Sequence, residues 1–118
     1  MRGDIAVGDT VLLAYLDVYF DAATGDNCAI TTTTGPVTGK AAWIIVELAK
    51  CKETKPGTTC TVLTKDRDPN SGTGNFHTYA GPVTVNAPKN CIRYTSQLAV
   101  PVEGDHSLAY YSSGAVHC

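Results

Sequence analysis

Short apolar segments alternate with turn-forming residues along the chain, and this alternation limits the fold more than any other feature of the sequence. Paired glycine and proline residues occur at Gly35-Pro36, Pro56-Gly57 and Gly81-Pro82, and the segments between them are rich in Val, Ile, Thr and Tyr. These residue types favour strands, and many short strands separated by turns are typical of a sandwich or a barrel. The sequence therefore predicts an all-β domain, an antiparallel β-sandwich of about seven strands.

The first strong segment, Val11 to Phe20, has an apolar residue at every even position. Because the side chains of a strand alternate between two faces, the even positions are predicted to face the core and Asp17 to face solvent. After a turn, a second strand is predicted over 28–34, and we expect Cys28 and Ile30 to face the core. The two segments predict an antiparallel hairpin.

Two later segments need a choice between alternatives. Residues 41–50 contain both helix formers and a Trp-Ile-Ile-Val run that favours a strand. We predict a strand with its even positions, Ala42 to Leu48, in the core, because the flanking segments are strands. Residues 66–74 are predicted to form a polar loop. The strand segments of 76–87 are interrupted at Pro82, which lacks an N–H group and therefore indicates an edge, a bulge or a bend.

Length and charge exclude several classes of protein. The 118 residues, of which 43% are hydrophobic, suffice for one domain with its own core. The net charge of -2 provides no positive excess for binding nucleic acid. The longest apolar run is shorter than the roughly 20 residues that a membrane-spanning helix needs. We therefore expect 1–118 to form a single domain with no membrane span and no cofactor, in which residues 1–10 are a flexible or partner-binding extension.

Five cysteines in so short a chain indicate an oxidising compartment. Cys51 and Cys60 lie at the two ends of a predicted hairpin, and we expect a disulfide between them. Cys91 and Cys118 are expected to pair and to anchor the last segment. Cys28 then remains as a free thiol or as a thiol that joins two chains, although the sequence alone leaves other pairings open. Because no hydrophobic leader begins the sequence, we interpret the chain as the mature region of a secreted protein.

Metal binding is suggested at one main place, and Asp17, Asp21 and Asp26 give a weaker suggestion of calcium. A zinc site is disfavoured because no two cysteines have the Cys-x-x-Cys spacing. Asp66, Asp68 and Asn70 match the opening of a calcium loop, but Ser71 replaces the usual glycine and His77 the usual glutamate. A turn rich in Asp and Asn explains the segment better. We predict no metal, and these three residues remain the calcium candidate.

The sequence contains no recognisable catalytic motif. No serine lies in a Gly-x-Ser-x-Gly context, and the three histidines, His77, His106 and His117, have no evident partner. We therefore predict that the protein is not an enzyme. A hydrolase would require one of these histidines to lie beside a carboxylate or a serine in a pocket.

Aromatic residues at outward positions suggest a contact surface. Tyr15, Asp17 and Tyr19 occupy odd positions of the first strand, and Trp43 lies opposite the predicted inward set of its own strand. Tyr and Trp are enriched where proteins make contacts, since their rings are apolar and their tips polar. We predict a contact face of these four residues. The alternative is that the large rings fill the core.

Three stretches of the sequence resemble a known group of proteins. They are 16–29 (LDVYFDAATGDNCA), the Cys51–Cys60 hairpin, and 79–88 (YAGPVTVNAP) followed by Cys91-Ile92 and the terminal His117-Cys118. Together they resemble small secreted proteins of filamentous actinobacteria, of the spore-associated or hypothetical type, from about Leu16 to Cys118. The resemblance implies a secreted, β-rich protein cleaved from a signal peptide. It implies no activity and no catalytic residue.

These observations predict a non-catalytic protein that is secreted, extracellular or attached to a spore or cell surface. It would act as a binding or assembly module, with another secreted protein or a cell-envelope polymer as its partner. The alternative is a small secreted hydrolase or protease inhibitor. An inhibitor would present the loop from Lys52 to Thr59, which two cysteines enclose and Pro56 stiffens.

Overall fold

Eight strands are found in the computed structural model, which describes residues 2–7, 11–34, 39, 41, 43–70, 78–102 and 105–118. The strands are β1 (Arg2–Val7), β2 (Val11–Asp21), β3 (Asp26–Thr33), β4 (Trp43–Cys51), β5 (Val62–Asp68), β6 (Tyr79–Asn86), β7 (Ile92–Val102) and β8 (Asp105–Ser112). Within these ranges, no helix is long and apolar enough to cross a membrane.

The strands form two four-stranded antiparallel sheets. Sheet A has the order β1-β2-β3-β6 and sheet B the order β5-β4-β7-β8. The two sheets contact each other through pairs of strands. Strand β4 of sheet B contacts β3 and β6 of sheet A, β5 of sheet B contacts β6 of sheet A, and β8 of sheet B contacts β1 of sheet A. The predicted antiparallel β-sandwich with two disulfides is therefore confirmed.

Residues 1–10 were predicted to be a flexible or partner-binding extension. This prediction is corrected for residues 2–7, which form β1. This strand pairs with β2, and Ile5 lies opposite Ala14. Both side chains are fully buried. Because Ile5 is part of the core, this segment is held by its own domain; residues 1 and 8–10 lie outside the described part of the chain.

The core lies between the inner faces of the two sheets. The ambiguous segment is a strand, and Ile44, Val46 and Leu48 are fully buried, as predicted; Ala42 lies outside the described residues. A polar contact crosses the core between the sheets, since the hydroxyl groups of Thr31 on β3 and Ser96 on β7 lie 2.7 Å apart. Ser96 also donates to the carbonyl oxygen of Ile45 at 3.0 Å, so the pair is satisfied inside the core.

The predicted inner face of β3 is wrong by one residue. Asn27, Ala29, Thr31 and Thr33 are buried, whereas Cys28 is only partly buried and lies on the outer face. A shift of one residue moves every side chain of a strand to the opposite face. The polar residues Asn27 and Thr31 are tolerated inside because each forms a hydrogen bond there.

Strand β6 continues through Gly81 and Pro82, where an interruption was predicted. It lies at the edge of sheet A, which is one of the three alternatives that the proline left open. Its register against β3 shifts between Ala29 and Thr31. Gly81 has a positive φ of 106°, and a Cβ atom there would lie 2.8 Å from the carbonyl oxygen of Ala29. Only glycine fits this close approach of two strands.

Candidate functional site

The loop between Cys51 and Cys60 is held at several points. The two cysteines form a disulfide, as predicted. The Glu53 carboxylate accepts hydrogen bonds from the Thr61 backbone N–H at 2.6 Å and from the Thr61 hydroxyl at 2.8 Å. Gly57 and Ala115 exchange backbone hydrogen bonds of 3.1 and 2.9 Å. The loop is therefore attached both to its own strand and to the last segment of the chain.

The hydrogen bonds to Glu53 also change its acidity. The backbone and hydroxyl groups of Thr61, in that order, hold the pKa of the Glu53 carboxyl below its usual value. Within the described residues, Cys51, Glu53 and Cys60 are the one group whose ligand atoms lie close enough to hold a metal. Both sulfur atoms belong to the disulfide, so this group is not a metal site.

The second disulfide joins Cys91 to Cys118, also as predicted. The segment before Cys118 is paired to the rest of the fold, since Val116 and Ile92 exchange backbone hydrogen bonds of 2.8 and 2.9 Å. Cys28 is the free cysteine. It lies directly opposite Tyr19 in the pairing of β2 with β3.

The four residues of the predicted contact face do not form one surface. Tyr15 and Tyr19 lie on the outer face of sheet A, whereas Trp43 lies on the outer face of sheet B and is partly buried. Two sheets that pack by their inner faces direct their outer faces in opposite directions. Asp17 is only 8% exposed, because β2 lies between β1 and β3 and its outward side chains have neighbours on both sides. Of the four residues, Tyr19 is the well exposed one, at 58%.

The calcium candidate is corrected. Asp66 and Asp68 belong to β5 instead of a loop, and their carboxylates bind protein groups. Asp68 accepts a hydrogen bond from the Gly81 N–H at 2.7 Å, and Asp66 accepts one from the Thr84 N–H at 3.0 Å. These carboxylates connect the edge strand of sheet B to the edge strand of sheet A. Asn70 is exposed beyond the end of β5.

A cleft of about 420 Å³ opens at one end of the sandwich, and we call it the end cleft. This volume is within the range of about 300–1,000 Å³ that small-molecule sites occupy. Its walls come from the end of β2, the start of β3, the turn after β6 and the last two residues of the chain. The lining residues are Val18, Tyr19, Phe20, Asn27, Ala87, Pro88, His117 and Cys118.

Phe20 was predicted to be in the core, and this prediction is wrong. Phe20 continues the even-numbered face of β2 beyond the buried residue Val18, but its side chain is 56% exposed. Together with Tyr19 it lines the end cleft. Large apolar side chains that remain this exposed beside a concave surface commonly mark a contact site.

Hydrogen bonds between two turns fix the shape of the end cleft. The Ala87 N–H donates to the Gly25 carbonyl oxygen at 2.9 Å, and the Asn86 side-chain amide donates to the Thr24 carbonyl oxygen at 2.8 Å. A Cβ atom at Gly25, where φ is 77°, would lie 2.8 Å from Pro88 Cβ. The turn between β2 and β3 therefore packs closely beneath the turn between β6 and β7.

Asn27 is the polar group buried in the end cleft. Its side chain is 2% exposed, and its amide nitrogen donates one long hydrogen bond, 3.5 Å, to the Ala87 carbonyl oxygen. Among the described residues, Arg93 Nε is the buried side-chain polar atom without a hydrogen-bond partner, and no atom of Asn27 is in this state. The Asn27 amide is therefore a hydrogen-bonded polar group in the lining of the end cleft.

The other side of the end cleft carries His117, which has a positive φ of 53° and is exposed. Its ring stacks at 6.0 Å on Tyr94, which in turn stacks at 6.0 Å on Tyr111. Burial, and then the adjacent Tyr111 hydroxyl, raise the pKa of Tyr94 to about 12. The stack connects His117 to the core through the buried ring of Tyr94.

The arrangement expected of a hydrolase is not present around His117. The residues that line the end cleft with it include no Asp, Glu or Ser side chain. His77 lies outside the described residues, and nothing is described of the His106 side chain. The aromatic, apolar and amide side chains of the lining can form stacking, apolar and hydrogen-bonded contacts.

Of the residues that line the end cleft, the sequence predicted only Tyr19 as a contact residue. It did not predict that Phe20, Asn27, Pro88 and His117 lie beside it. Asn27 follows a Gly-Asp pair, which made it resemble a turn residue, and it lies 60 residues from Ala87 in the sequence. The one usable signal was the coincidence of an aromatic pair, Tyr19-Phe20, with the end of a predicted strand.

No protein-family model, no curated protein and no solved structure matches this chain. The two disulfides are compatible with an extracellular location.

Proposed function

We propose that this protein is a secreted, non-catalytic binding module whose ligand occupies the end cleft. The observation that carries the proposal is the end cleft itself, a concave surface of about 420 Å³ whose lining includes the exposed side chains of Tyr19 and Phe20. Binding sites commonly combine apolar walls with a few fixed polar groups. A ligand in the end cleft would cover apolar surface that is exposed to solvent in the free protein.

Secretion is part of this proposal and has two supports. Two disulfides are unusual in a reducing cytosol. The sequence also resembles small secreted actinobacterial proteins of the spore-associated type over most of its length. On this basis we place the protein outside the cell or on a spore or cell surface, with another secreted protein or a cell-envelope polymer as its partner.

A nuclear magnetic resonance titration of the oxidised protein tests the proposal. The probes are chitohexaose for glycans, poly-L-proline for extended peptides and indole for small aromatic ligands. We expect at least one probe to shift the amide signals of the end cleft in a saturable way, and Phe20→Ala to weaken that response.

Tyr110→Ala is the matched control, since Tyr110 is 60% exposed and does not line the end cleft. This variant should keep the wild-type response. If none of the three probes shifts signals of the end cleft, the proposed function is wrong. Equal effects of Phe20→Ala and Tyr110→Ala would also contradict it.

The Cys51–Cys60 loop supports a second candidate function, protease inhibition. Its residues from Thr54 to Thr59 are exposed, while the disulfide, Thr61 and Ala115 hold the loop in place. A braced, exposed loop loses little entropy on binding. Lys52 is exposed and is followed by Glu53, whereas Lys55 precedes a proline, which trypsin-like proteases do not accept after the basic residue. Such a protease should be inhibited by the wild-type protein and not by Lys52→Ala. No inhibition by either would exclude this candidate.

A further inference from the structure

We infer that the ligand of the end cleft is an extended peptide segment of a partner protein, which adds a strand to the open edge of β2 beside Tyr19 and Phe20. This inference rests on the proposed function, because it names the class of ligand for the same site. Three observations support it: the point at which the pairing with β1 ends, the residues that line the end cleft, and the charge at the end of β2.

Strand β2 extends further than the strand beside it. The pairing with β1 ends where Arg2 lies opposite Asp17, whereas β2 continues to Asp21. On its other side, β2 is paired with β3 as far as Asp21. Among the described residues, Tyr19, Phe20 and Asp21 therefore have a neighbouring strand on the β3 side alone. This part of β2 is an open sheet edge.

The open edge provides backbone hydrogen-bonding groups. In an antiparallel pair, alternate residues direct both their N–H and their C=O group toward the partner strand, and the residues between them direct both groups away. Tyr19 and Phe20 are consecutive residues, paired with Cys28 and Asn27 of β3. One of the two therefore directs its N–H and its C=O toward the open edge. A peptide that adds a strand is recognised through such groups.

The lining of the end cleft indicates a ligand that lies along this edge. Val18 and Phe20 belong to one face of sheet A and Tyr19 to the other, since alternate side chains of a strand point to opposite sides. All three residues line the end cleft. A ligand bound to a single face of the sheet would contact one of these two sets. An added strand contacts both, because its own side chains also alternate between the faces.

The apolar lining predicts the side chain that the peptide places in the end cleft. Phe20 is 56% exposed, and Ala87 and Pro88 also line the cleft. The residue opposite Phe20 in the added strand points to the same face of the sheet as Phe20. An aliphatic or aromatic side chain at this position would therefore cover the exposed ring and remove its apolar surface from water.

The negative charge at the end of β2 favours a basic residue in the peptide. Asp21 is exposed and lies directly opposite Asp26 in the pairing of β2 with β3. Like charges at opposite positions of a strand pair are unfavourable, and a positive charge beside them is favourable. We expect the strand to run antiparallel to β2, in line with β1, because parallel pairing is slightly less stable. A lysine opposite Asp21 is then followed by the apolar residue opposite Phe20.

Nuclear magnetic resonance titration of the oxidised full chain with a designed peptide tests the inference. The peptide is Thr-Lys-Val-Thr-Val, acetylated and amidated at its ends. We expect it to shift the amide signals of the end cleft in a saturable way. It should also slow the hydrogen exchange of whichever amide, Tyr19 or Phe20, exchanges rapidly in the free protein. Poly-L-proline has no backbone N–H group and should bind about tenfold more weakly.

Two N-methylated analogues of the peptide are the matched controls. One has N-methyl groups on its odd-numbered residues and the other on its even-numbered residues. Because alternate N–H groups of an added strand face β2, we expect one analogue to bind about tenfold more weakly and the other to bind like the parent peptide. Equal affinities of the two analogues would show that no backbone pairing forms, and the inference would be wrong.

Variants of the protein assign the side-chain contacts. Phe20→Ala should weaken binding of the peptide by about tenfold, as expected for the loss of an aromatic contact. Asp21→Asn keeps an oxygen that can accept the hydrogen bond of the Ala23 N–H, and it should weaken binding by about threefold. The Asp21→Asn effect should disappear when norleucine replaces the lysine of the peptide. Tyr110→Ala is the control, since its exposed ring does not line the end cleft.

The outcomes separate the inference from the proposed function. If chitohexaose, indole or poly-L-proline binds in the end cleft more tightly than the peptide, the peptide inference is wrong and the binding function stands. If neither the peptide nor any of these probes binds there, both fail. If the free protein is a dimer in which the Tyr19 and Phe20 amides are both already protected from exchange, a second copy occupies the edge and the inference is likewise wrong.

Discussion

Two glycines with positive φ, Gly25 and Gly81, allow segments distant in the sequence to approach closely. At Gly81 the obstacle to a side chain is backbone, since the Ala29 carbonyl oxygen and the Ile30 Cα would lie 2.8 and 3.2 Å from an added Cβ. Backbone atoms of a paired strand cannot move away as the end of a flexible side chain can. The contact between β3 and β6 therefore depends on this residue.

We expect Gly81→Ala to lower the free energy of unfolding by about 1–3 kcal/mol, because alanine is strained at this φ and collides with β3. Urea unfolding followed by tryptophan fluorescence measures the change. Gly57→Ala is the control, since no atom lies within 4 Å of an added Cβ at Gly57. Equal losses in the two variants would contradict the role given to Gly81.

Glu53 makes the stability of the hairpin depend on pH. Its pKa is lowered in the folded protein from the reference value of 4.5. A carboxyl group with a lowered pKa contributes stability above its unfolded pKa, and this contribution disappears as the pH falls through the folded pKa. The Glu53 contribution is therefore complete near neutral pH and is lost below the reference value.

Glu53→Gln should lower the urea midpoint near neutral pH and have little effect at about pH 3. Thr61→Val keeps the backbone N–H but removes the hydroxyl donor, so it should show a smaller loss with the same pH dependence. A Glu53→Gln effect that stays constant over this range would mean that the charge of Glu53 is not responsible.

At the scale of the elements, the edge strands β5 and β6 are joined by side chains. Unpaired strand edges invite pairing with other chains, and proteins usually cover or charge them. Here the carboxylates of Asp66 and Asp68 accept hydrogen bonds from β6 N–H groups that face away from β3. The two residues thus close one side of the sandwich without a backbone ladder.

Asp68→Ala should lower the free energy of unfolding by about 1–3 kcal/mol, because it removes an ionised acceptor and leaves the partly buried Gly81 N–H unpaired. Asp66→Ala should cost less, since its hydrogen bond is longer and exposed. Lys65→Ala, at an exposed position directly before Asp66, is the control. Denaturant unfolding measures the free energy of unfolding of all three variants. A larger loss for Asp66→Ala than for Asp68→Ala would contradict this ranking.

Sequence pattern predicted β4 well and β3 poorly, for a physical reason. In β4 the charged residue Glu47 alternates with large aliphatic residues, so only one phase buries the apolar set. In β3 both faces mix small, polar and apolar residues, and Cys28 and Ile30 gave the outer face the more apolar composition. The phase is set by tertiary partners, above all Ser96, which binds Thr31 across the core. No local pattern contains that partner.

At the scale of the whole molecule, the fold class and both disulfides could be predicted, whereas the end cleft could not. Fold class follows from strand-forming segments and turns, which are local properties of the chain. The end cleft combines residues from four separate segments, and Phe20 is exposed only because the core ends beside Val18. The position at which the two sheets stop covering each other determines this arrangement, and that position is a property of the tertiary structure.

The free cysteine gives a prediction about assembly. Four cysteines are paired and Cys28 is partly buried on the outer face of sheet A, so one thiol per chain should react with an alkylating agent under native conditions. Intact mass of the non-reduced protein after size exclusion measures this, and Cys28→Ser should abolish the labelling. If no thiol reacts and the mass corresponds to two chains, Cys28 joins copies of the protein, and assembly replaces the monomeric module as the description of its native form.

The strand order also determines how the molecule must fold. Sheet A takes β6 from the second half of the chain, and sheet B joins β4 and β5 to β7 and β8, so neither sheet is one continuous segment. The pairs β3 with β6 and β4 with β7 connect residues that are distant in the sequence, so the fold has a high contact order. Proteins with a high contact order fold in about milliseconds to seconds, and we expect the same here. The chain forms β1 to β3 in sheet A, then β4 and β5 in sheet B, returns to sheet A with β6 and ends in sheet B with β7 and β8. It therefore cannot be cut into one fragment per sheet.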